Sequence, residues 1–139
     1  MPVGSTRSRP DLKRQADFMK DIKVASVQFE HAPGDKQANL DKVRRFTAEA
    51  AEQGVELVVF PEMCITGYWF LRDLGRDELL ELSESVPNGA TTQELLRLAK
   101  QHNLSLGAGL LEISDEGEMF NSYVVAMPDG RTVCHRKLH

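Results

Sequence analysis

Cysteines and long apolar runs are both scarce in this 139-residue sequence. The two cysteines, Cys64 and Cys134, lack zinc-site spacing and cannot form a disulfide framework, which predicts a reduced, cytoplasmic setting. No run of about 18 apolar residues occurs, so we predict no membrane span. The first 20 residues contain no apolar segment of the secretory type. The length suits one ordinary domain.

Charge is distributed unevenly along the chain. The whole sequence carries a net charge of −4, yet the first 20 residues hold five basic and two acidic side chains. The remainder is therefore acidic, which argues against nucleic-acid binding. Residues 1–19 are typical of a disordered basic extension. Met19, directly before the first apolar strand pattern, is the expected start of translation.

The first 60 residues predict a β-α-β unit. Residues 22–29 alternate in polarity and are rich in branched side chains, which indicates a strand. Asp35 can cap a helix that runs to about Gln53, and Gly54 suits the position after its end. Residues 55–62 (VELVVFPE) form an apolar run, which predicts a second strand buried on both faces.

The second half of the chain predicts two helices and three strands. Residues 77–82 indicate a short helix, and residues 91–94 (TTQE) have the spacing of a capping box for a helix ending near Asn103. Short turns then connect three strand patterns, which predicts an antiparallel meander: 104–113, 119–127 and 131–137. The expected class is α/β with a mixed sheet.

The sequence stops at Lys137-Leu138-His139, inside or just after the last strand. Such an ending would leave a sheet edge and an uncovered face, which isolated domains avoid. We therefore expect residues 20–139 to be a truncated domain.

Glu62 ends the second strand pattern with a carboxylate. Sites in open α/β sheets gather beyond the carboxyl ends of strands, and Pro61 stiffens the approach to this residue. Apolar neighbours would desolvate the carboxylate and raise its pKa toward that of a useful general base. The alternative is a helix-capping or salt-bridged glutamate.

Lys137 places an ammonium near the end of the last strand. A fixed ammonium can stabilise an oxyanion, whereas the alternative is a solvated charge. His135 and His139 stand at i and i+4, but on a strand that spacing is roughly 13 Å, too long for one metal ion. We therefore predict no metal site.

The remaining candidates have structural explanations. Cys64 follows Glu62 by two residues, but no histidine lies near it in sequence, so we predict a buried, inert thiol there and at Cys134. Gly107 and Gly109 in the third strand pattern predict close backbone packing. The GxGxxG and Walker patterns of phosphate-binding loops do not occur.

Five short motifs follow one another along the chain: Phe60-Pro61-Glu62, Thr66-Gly67-Tyr68, Asn121-Ser122, Pro128-Asp129-Gly130 and Arg136-Lys137-Leu138-His139. No single motif is very specific, but their order and separation are. Together they resemble the nitrilase superfamily of carbon–nitrogen hydrolases, and the resemblance covers roughly residues 20–139.

The resemblance implies the N-terminal half of an αββα four-layer sandwich and a Glu-Lys-Cys triad. Glu62 matches the family's general base, and Lys137 matches its catalytic lysine. The family's nucleophilic cysteine lies on a later strand, beyond residue 139, and neither Cys64 nor Cys134 occupies that motif. The implied reaction is hydrolysis of a small amide, N-carbamoyl compound or nitrile, without a cofactor.

Two other interpretations stay open. The chain can be a catalytically inactive remnant or interaction module of the same fold. It can also be a generic α/β binding domain in which Glu62 and Lys137 are unrelated surface charges, lying far apart. The family resemblance further implies a homo-oligomer for the intact protein, with no nucleic acid or membrane partner.

Overall fold

A computed structural model describes residues 20–138. Its strands are β1 (Val24–Ser26), β2 (Leu57–Val59), β3 (Ser105–Ile113), β4 (Met119–Ala126) and β5 (Thr132–Arg136). Its α-helices are α1 (Lys36–Glu52), α2 (Arg76–Leu82) and α3 (Ala90–His102), and a 3₁₀ turn covers Trp69–Asp73. Residues 1–19, for which a disordered extension is predicted, lie outside the described part, as does His139.

The five strands form one mixed sheet in the order β1-β2-β3-β4-β5. Strands β1, β2 and β3 run parallel, whereas β3, β4 and β5 are antiparallel. The β-α-β start and the meander are therefore confirmed. The first two strands are shorter than predicted, because β1 and β2 share only three paired residues.

Helix α1 has the ends that the sequence predicts. The Asp35 carboxylate accepts a hydrogen bond from the Ala38 N–H at 2.9 Å, which satisfies one of the free donors of the first turn. At the other end Gln53 is the C-cap and Gly54 has a φ of +73°. That left-handed conformation favours glycine.

The predicted capping box of the next long helix is wrong. Helix α3 begins two residues earlier than expected, with Gly89 as its N-cap in place of Thr91. The Thr91 hydroxyl instead donates to the Glu84 carboxylate, and Glu94 binds Arg44 on α1 at 2.6 Å. Thr91 and Glu94, the two ends of the predicted capping box, therefore bind other parts of the fold instead of the helix backbone.

One face of the sheet packs on α1 and α3 and holds the core. This helix-side face carries the buried side chains of alternate strand residues: Val58, Leu106, Ala108, Leu110, Val124 and Ala126. They pack against apolar residues of the two helices: Leu40, Val43, Ala50, Leu95, Leu98 and Ala99. Alternation places every second residue on the other face, which we call the site face.

The site face is only partly covered by the described residues. In β2, Val58 is fully buried, but Leu57 and Val59 are half-buried. The prediction that β2 is buried on both faces is therefore wrong within residues 20–138. Over the same range, no helix has the length and apolar character needed to cross a membrane.

Candidate active site

Glu62 stands just beyond β2, where the chain continues along the edge of β3. The Phe60 N–H donates to the Gly107 carbonyl at 2.8 Å, and the Gly109 N–H donates to the Pro61 carbonyl at 3.3 Å. After Glu62 the chain turns sharply, since Met63 has a φ of +51°. The backbone of Glu62 is therefore held by β3 on one side and by a tight turn on the other.

Gly109 makes this close approach possible. A Cβ at this position would lie 2.2 Å from the Met63 nitrogen and 2.8 Å from the Glu62 carbonyl carbon. Both neighbours are backbone atoms that cannot rotate away. The predicted close packing at Gly109 is therefore present, and it lies directly against the Glu62 backbone.

Lys137 and Asn121 converge on one oxygen of the Glu62 carboxylate. The Lys137 Nζ donates to Glu62 Oε1 at 2.8 Å, and the Asn121 Nδ2 donates to the same oxygen at 2.5 Å. Glu62 and Lys137 are 75 residues apart in sequence. The interpretation that they are unrelated, distant charges is therefore wrong.

Strand register explains how these residues meet. Asn121 lies in β4, and the Lys137 N–H donates to the Asn121 carbonyl at 2.8 Å, which extends the β4–β5 ladder by one residue. Asn121 and Lys137 therefore face the same side of the sheet. Arg136, one residue earlier, points to the helix side and binds Glu112 at 2.8 Å.

The pKa of Glu62 is shifted opposite to the sequence-based expectation. Hydrogen bonds from Lys137, then from Asn121, lower the pKa of this carboxyl and outweigh its desolvation. The side chains of Glu62 and Lys137 are 45% and 51% exposed, so desolvation is weak. Glu62 is therefore ionised at neutral pH, and pairing with it raises the pKa of Lys137.

Aromatic and imidazole groups complete the cavity wall. Glu62, Asn121, Tyr123, His135 and Lys137 line a cavity of about 270 Å³. The Tyr123 hydroxyl donates to the Phe60 carbonyl at 2.7 Å, and burial raises its pKa to about 12. It therefore stays protonated and anchors the segment that leads to Glu62.

A second cavity adjoins the first. It measures about 310 Å³ and shares Asn121 and Lys137 with its neighbour. Tyr68, Met119 and Phe120 form its remaining wall, and the Lys137 ammonium lies 5.6 Å from the centroid of the Tyr68 ring. An apolar group can therefore sit beside the charged pair.

The two cysteines differ from each other and stand apart from this cavity wall. Cys64 is buried as predicted, and burial raises its pKa to about 11. Cys134 is exposed, which corrects the prediction of a buried thiol. It lies on the helix-side face beside Glu112, and desolvation, followed by the charge of Glu112, raises its pKa. Neither is a thiolate at neutral pH.

Sequence reasoning missed the roles of Asn121, Tyr123 and His135 in this wall. The sequence marks Asn121 only as part of a motif and His135 only as a possible metal ligand. Their common signal is alternation, because residues 121 and 123 pair across the ladder with residues 137 and 135. Among residues 20–138, no three His, Cys, Asp or Glu side chains are grouped as metal ligands, and His139 lies outside that range.

Comparison with known proteins identifies the family of this chain. The family model for carbon-nitrogen hydrolases matches residues 23–139. This chain belongs to the carbon–nitrogen hydrolase family. The resemblance to the nitrilase superfamily drawn from its motifs is thereby confirmed.

Two curated relatives illustrate the match to carbon–nitrogen hydrolases. The chain is 36% identical over 118 residues to a nitrilase from Pyrococcus abyssi, covering 85% of this chain and 44% of that protein. It is 32% identical over 122 residues to omega-amidase NIT2 from Xenopus tropicalis, covering 87% and 41%. This carbon–nitrogen hydrolase chain thus spans less than half the length of these relatives.

Solved structures of carbon–nitrogen hydrolases share the fold. Nit3 from Saccharomyces cerevisiae, a nitrilase superfamily member, has a TM-score of 0.70 and 27% identity over 85% of this chain and 44% of its own. A CN-hydrolase superfamily protein from Xanthomonas campestris has a TM-score of 0.73 and 22% identity, covering 87% and 42%. The predicted mixed α/β architecture of this family is therefore confirmed.

Proposed function

We propose that this chain supplies the general base and the oxyanion-stabilising lysine of a carbon–nitrogen hydrolase. Glu62 is the base, Lys137 is the stabilising cation, and the nucleophilic cysteine lies beyond residue 139. The substrate is a small amide or N-carbamoyl compound. The observation that supports this most strongly is the 2.8 Å contact between Glu62 and Lys137 on the site face.

The charge state of Glu62 suits this role. A base must be ionised before it can accept a proton, and the lowered pKa keeps this carboxyl ionised at neutral pH. A lowered pKa also weakens the base. When Lys137 turns from Glu62 toward substrate, the carboxylate loses its main donor and its proton affinity rises.

The proposed reaction proceeds through a covalent thioester. Glu62 takes the proton from the cysteine thiol, and the thiolate attacks the carbonyl carbon. Lys137 stabilises the oxyanion, which collapses as the amine leaves with the proton from Glu62. Glu62 then takes a proton from water, and the resulting hydroxide cleaves the thioester. The expelled thiolate takes that proton back from Glu62, which releases the acid and restores both the thiol and the base.

Ammonia release from a panel of small amides, N-carbamoyl amino acids and nitriles tests this function. The assay uses both the 139-residue chain and the product of the full reading frame. We expect the full product to hydrolyse at least one compound, and Glu62→Gln to abolish that activity. Lys137→Met should lower the rate by about 10²–10³, the usual loss for one oxyanion donor.

Glu56→Gln is the matched control, because it removes an exposed glutamate that is paired with Lys20 at 2.9 Å, outside the site. It should leave the rate unchanged. Wild-type activity in Glu62→Gln would overturn the assignment of the base, and a reading frame without a downstream cysteine would overturn the triad.

One observation favours the second function, an inactive interaction module. Val24 and Val133 on the site face are 50% and 53% exposed within the described residues. They lie on β1 and β5, at the two edges of the sheet, where exposed apolar side chains can contact another chain. The 139-residue chain then binds a partner without hydrolysing any compound in the panel. Homo-oligomerisation of the intact protein stays a prediction, which light scattering can measure.

A further inference from the structure

We propose that Asn121 is a positioning residue, which holds Glu62 by its Oε1 atom and leaves Oε2 as the oxygen that accepts the proton. This inference rests on the proposed function, because it assigns the reacting atom of the same base. It goes further in naming a residue outside the Glu-Lys-Cys triad.

Hydrogen bonding distinguishes the two carboxylate oxygens. Oε1 accepts from the Asn121 amide at 2.5 Å and from the Lys137 ammonium at 2.8 Å. A carboxylate oxygen has about two lone-pair positions, so these donors occupy Oε1. Within residues 20–138, Oε2 of Glu62 has no hydrogen-bond donor. The free lone pairs of the base are therefore on Oε2.

Asn121 holds both members of the charged pair. Its side-chain amide binds the Glu62 carboxylate, and its backbone carbonyl accepts the Lys137 N–H at 2.8 Å. The position of β4 therefore sets where the acid and the ammonium meet. A shift of this one residue would move both groups.

An amide suits this task better than a second charge. In the proposed reaction Lys137 leaves Glu62 to stabilise the oxyanion. Within residues 20–138 the Asn121 side chain donates only to Glu62, so it stays. The neutral donor therefore keeps the carboxylate oriented throughout. A second cation would lower the proton affinity of Glu62 permanently, and a carboxylate at position 121 would repel it.

Titration of Glu62 by carboxyl ¹³C NMR in the 139-residue chain tests this inference. Spectra of Glu62→Gln assign the resonance. The titratable groups around the carboxylate are Lys137, His135, Tyr123 and Tyr68. The pKa values of Lys137 and Tyr123 are both raised, so these two groups keep one charge state through the acidic range.

Two substitutions at position 121 give ordered expectations. Asn121→Leu removes the amide donor, so the Glu62 midpoint should shift upward. Asn121→Asp keeps the side-chain shape but adds a carboxylate, so the upward shift should be larger. Ser122→Ala is the control, since Ser122 points to the opposite face and donates to Glu112 at 2.5 Å. It should leave the Glu62 midpoint unchanged.

Unchanged Glu62 midpoints in both Asn121 variants, with folding verified by circular dichroism, would overturn the inference. So would an equal shift in Ser122→Ala, because the effect would then be general. If the midpoints move as expected but the full reading-frame product hydrolyses nothing, Asn121 still positions Glu62 and the proposed function fails. If that product is active, the acid limb of its kcat/KM profile should move upward in Asn121→Leu.

Discussion

Gly109→Ala would place a methyl carbon inside the backbone that carries Glu62. The added Cβ would lie 2.2 Å from the Met63 nitrogen and 2.9 Å from the Glu62 Cα. Non-bonded carbon contacts are favourable only from about 3.5 Å, so this segment must withdraw by more than about 1 Å. The substitution therefore perturbs the site without touching any charged group.

The cost follows from what the withdrawal disrupts. Overpacking of this kind costs about 1–3 kcal/mol. The segment is also held by two hydrogen bonds to Gly109, at 3.3 Å and 3.2 Å, each worth about 1 kcal/mol. Alanine lowers the entropy of the unfolded chain, which offsets about 0.4–1 kcal/mol. We expect the free energy of unfolding to fall by roughly 2–4 kcal/mol.

Urea denaturation followed by circular dichroism measures this loss, and NMR titration of Glu62 measures the effect on the site. Displacement of the carboxylate from Lys137 should move its pKa up toward the ordinary value. The control is Gly117→Ala in the β3–β4 turn, where the added Cβ meets open space but φ is +81°. We expect a strain cost of about 1 kcal/mol there and an unchanged Glu62 titration.

A loss below about 0.5 kcal/mol for Gly109→Ala would refute the reasoning. It would mean that the segment after β2 is not held tightly against β3. A large loss of stability with an unchanged Glu62 titration would show that the segment can withdraw from Gly109 without moving the carboxylate away from Lys137.

Three further predictions concern burial and charge. Glu94→Gln should lower the free energy of unfolding at pH 7 by roughly 1–3 kcal/mol, because hydrogen bonds from Arg97 and then Arg44 lower the Glu94 pKa from 4.5 to about 2. A carboxyl whose pKa is lower in the folded than in the unfolded chain stabilises the fold above its unfolded pKa. The loss of unfolding free energy in Glu94→Gln should therefore disappear as the pH falls from about 4.5 to about 2. An equal loss at both pH values would contradict this. Arg136→Met should lower the urea midpoint more than Lys137→Met. Both cations bind a glutamate at 2.8 Å, but the partner of Arg136 is buried, at 6% exposure, whereas the partner of Lys137 is 45% exposed. The reverse order would show that burial of the glutamate does not decide how much each ion pair stabilises the fold. Iodoacetamide should label Cys134 alone in the folded chain and both thiols in urea, since Cys64 is buried, and mass spectrometry showing native labelling of Cys64 would exclude the packing described.

Local patterns in the sequence predict the fold better than the site. Alternation and turn residues predict each of the five strands found in residues 20–138, and Asp35 and Gly54 mark the ends of α1, because these features depend on a few neighbouring residues. Strand lengths and the start of α3 were not predictable in this way. Strand β1 pairs with β2 over only three residues, and the Thr91 side chain binds Glu84 rather than the local backbone.

The site shows the same division between local and distant information. The family motifs predict Glu62 and Lys137 as site residues, and these two side chains meet at 2.8 Å. The prediction that the pKa of Glu62 is raised is wrong, because it depends only on apolar neighbours in sequence. Two donors from β4 and the end of β5 decide it instead, and only the sheet register brings them near.

Strand β5 carries a restriction on its pairing register. Consecutive residues Arg136 and Lys137 close ion pairs on opposite faces of the sheet, with Glu112 and Glu62. Slipping β5 past β4 by one residue would exchange the two cations across the sheet, since side chains alternate strictly along a strand. In homologous chains that keep both pairs, a residue inserted near this hairpin must therefore be absorbed by the turn at 127–131 and not by the ladder.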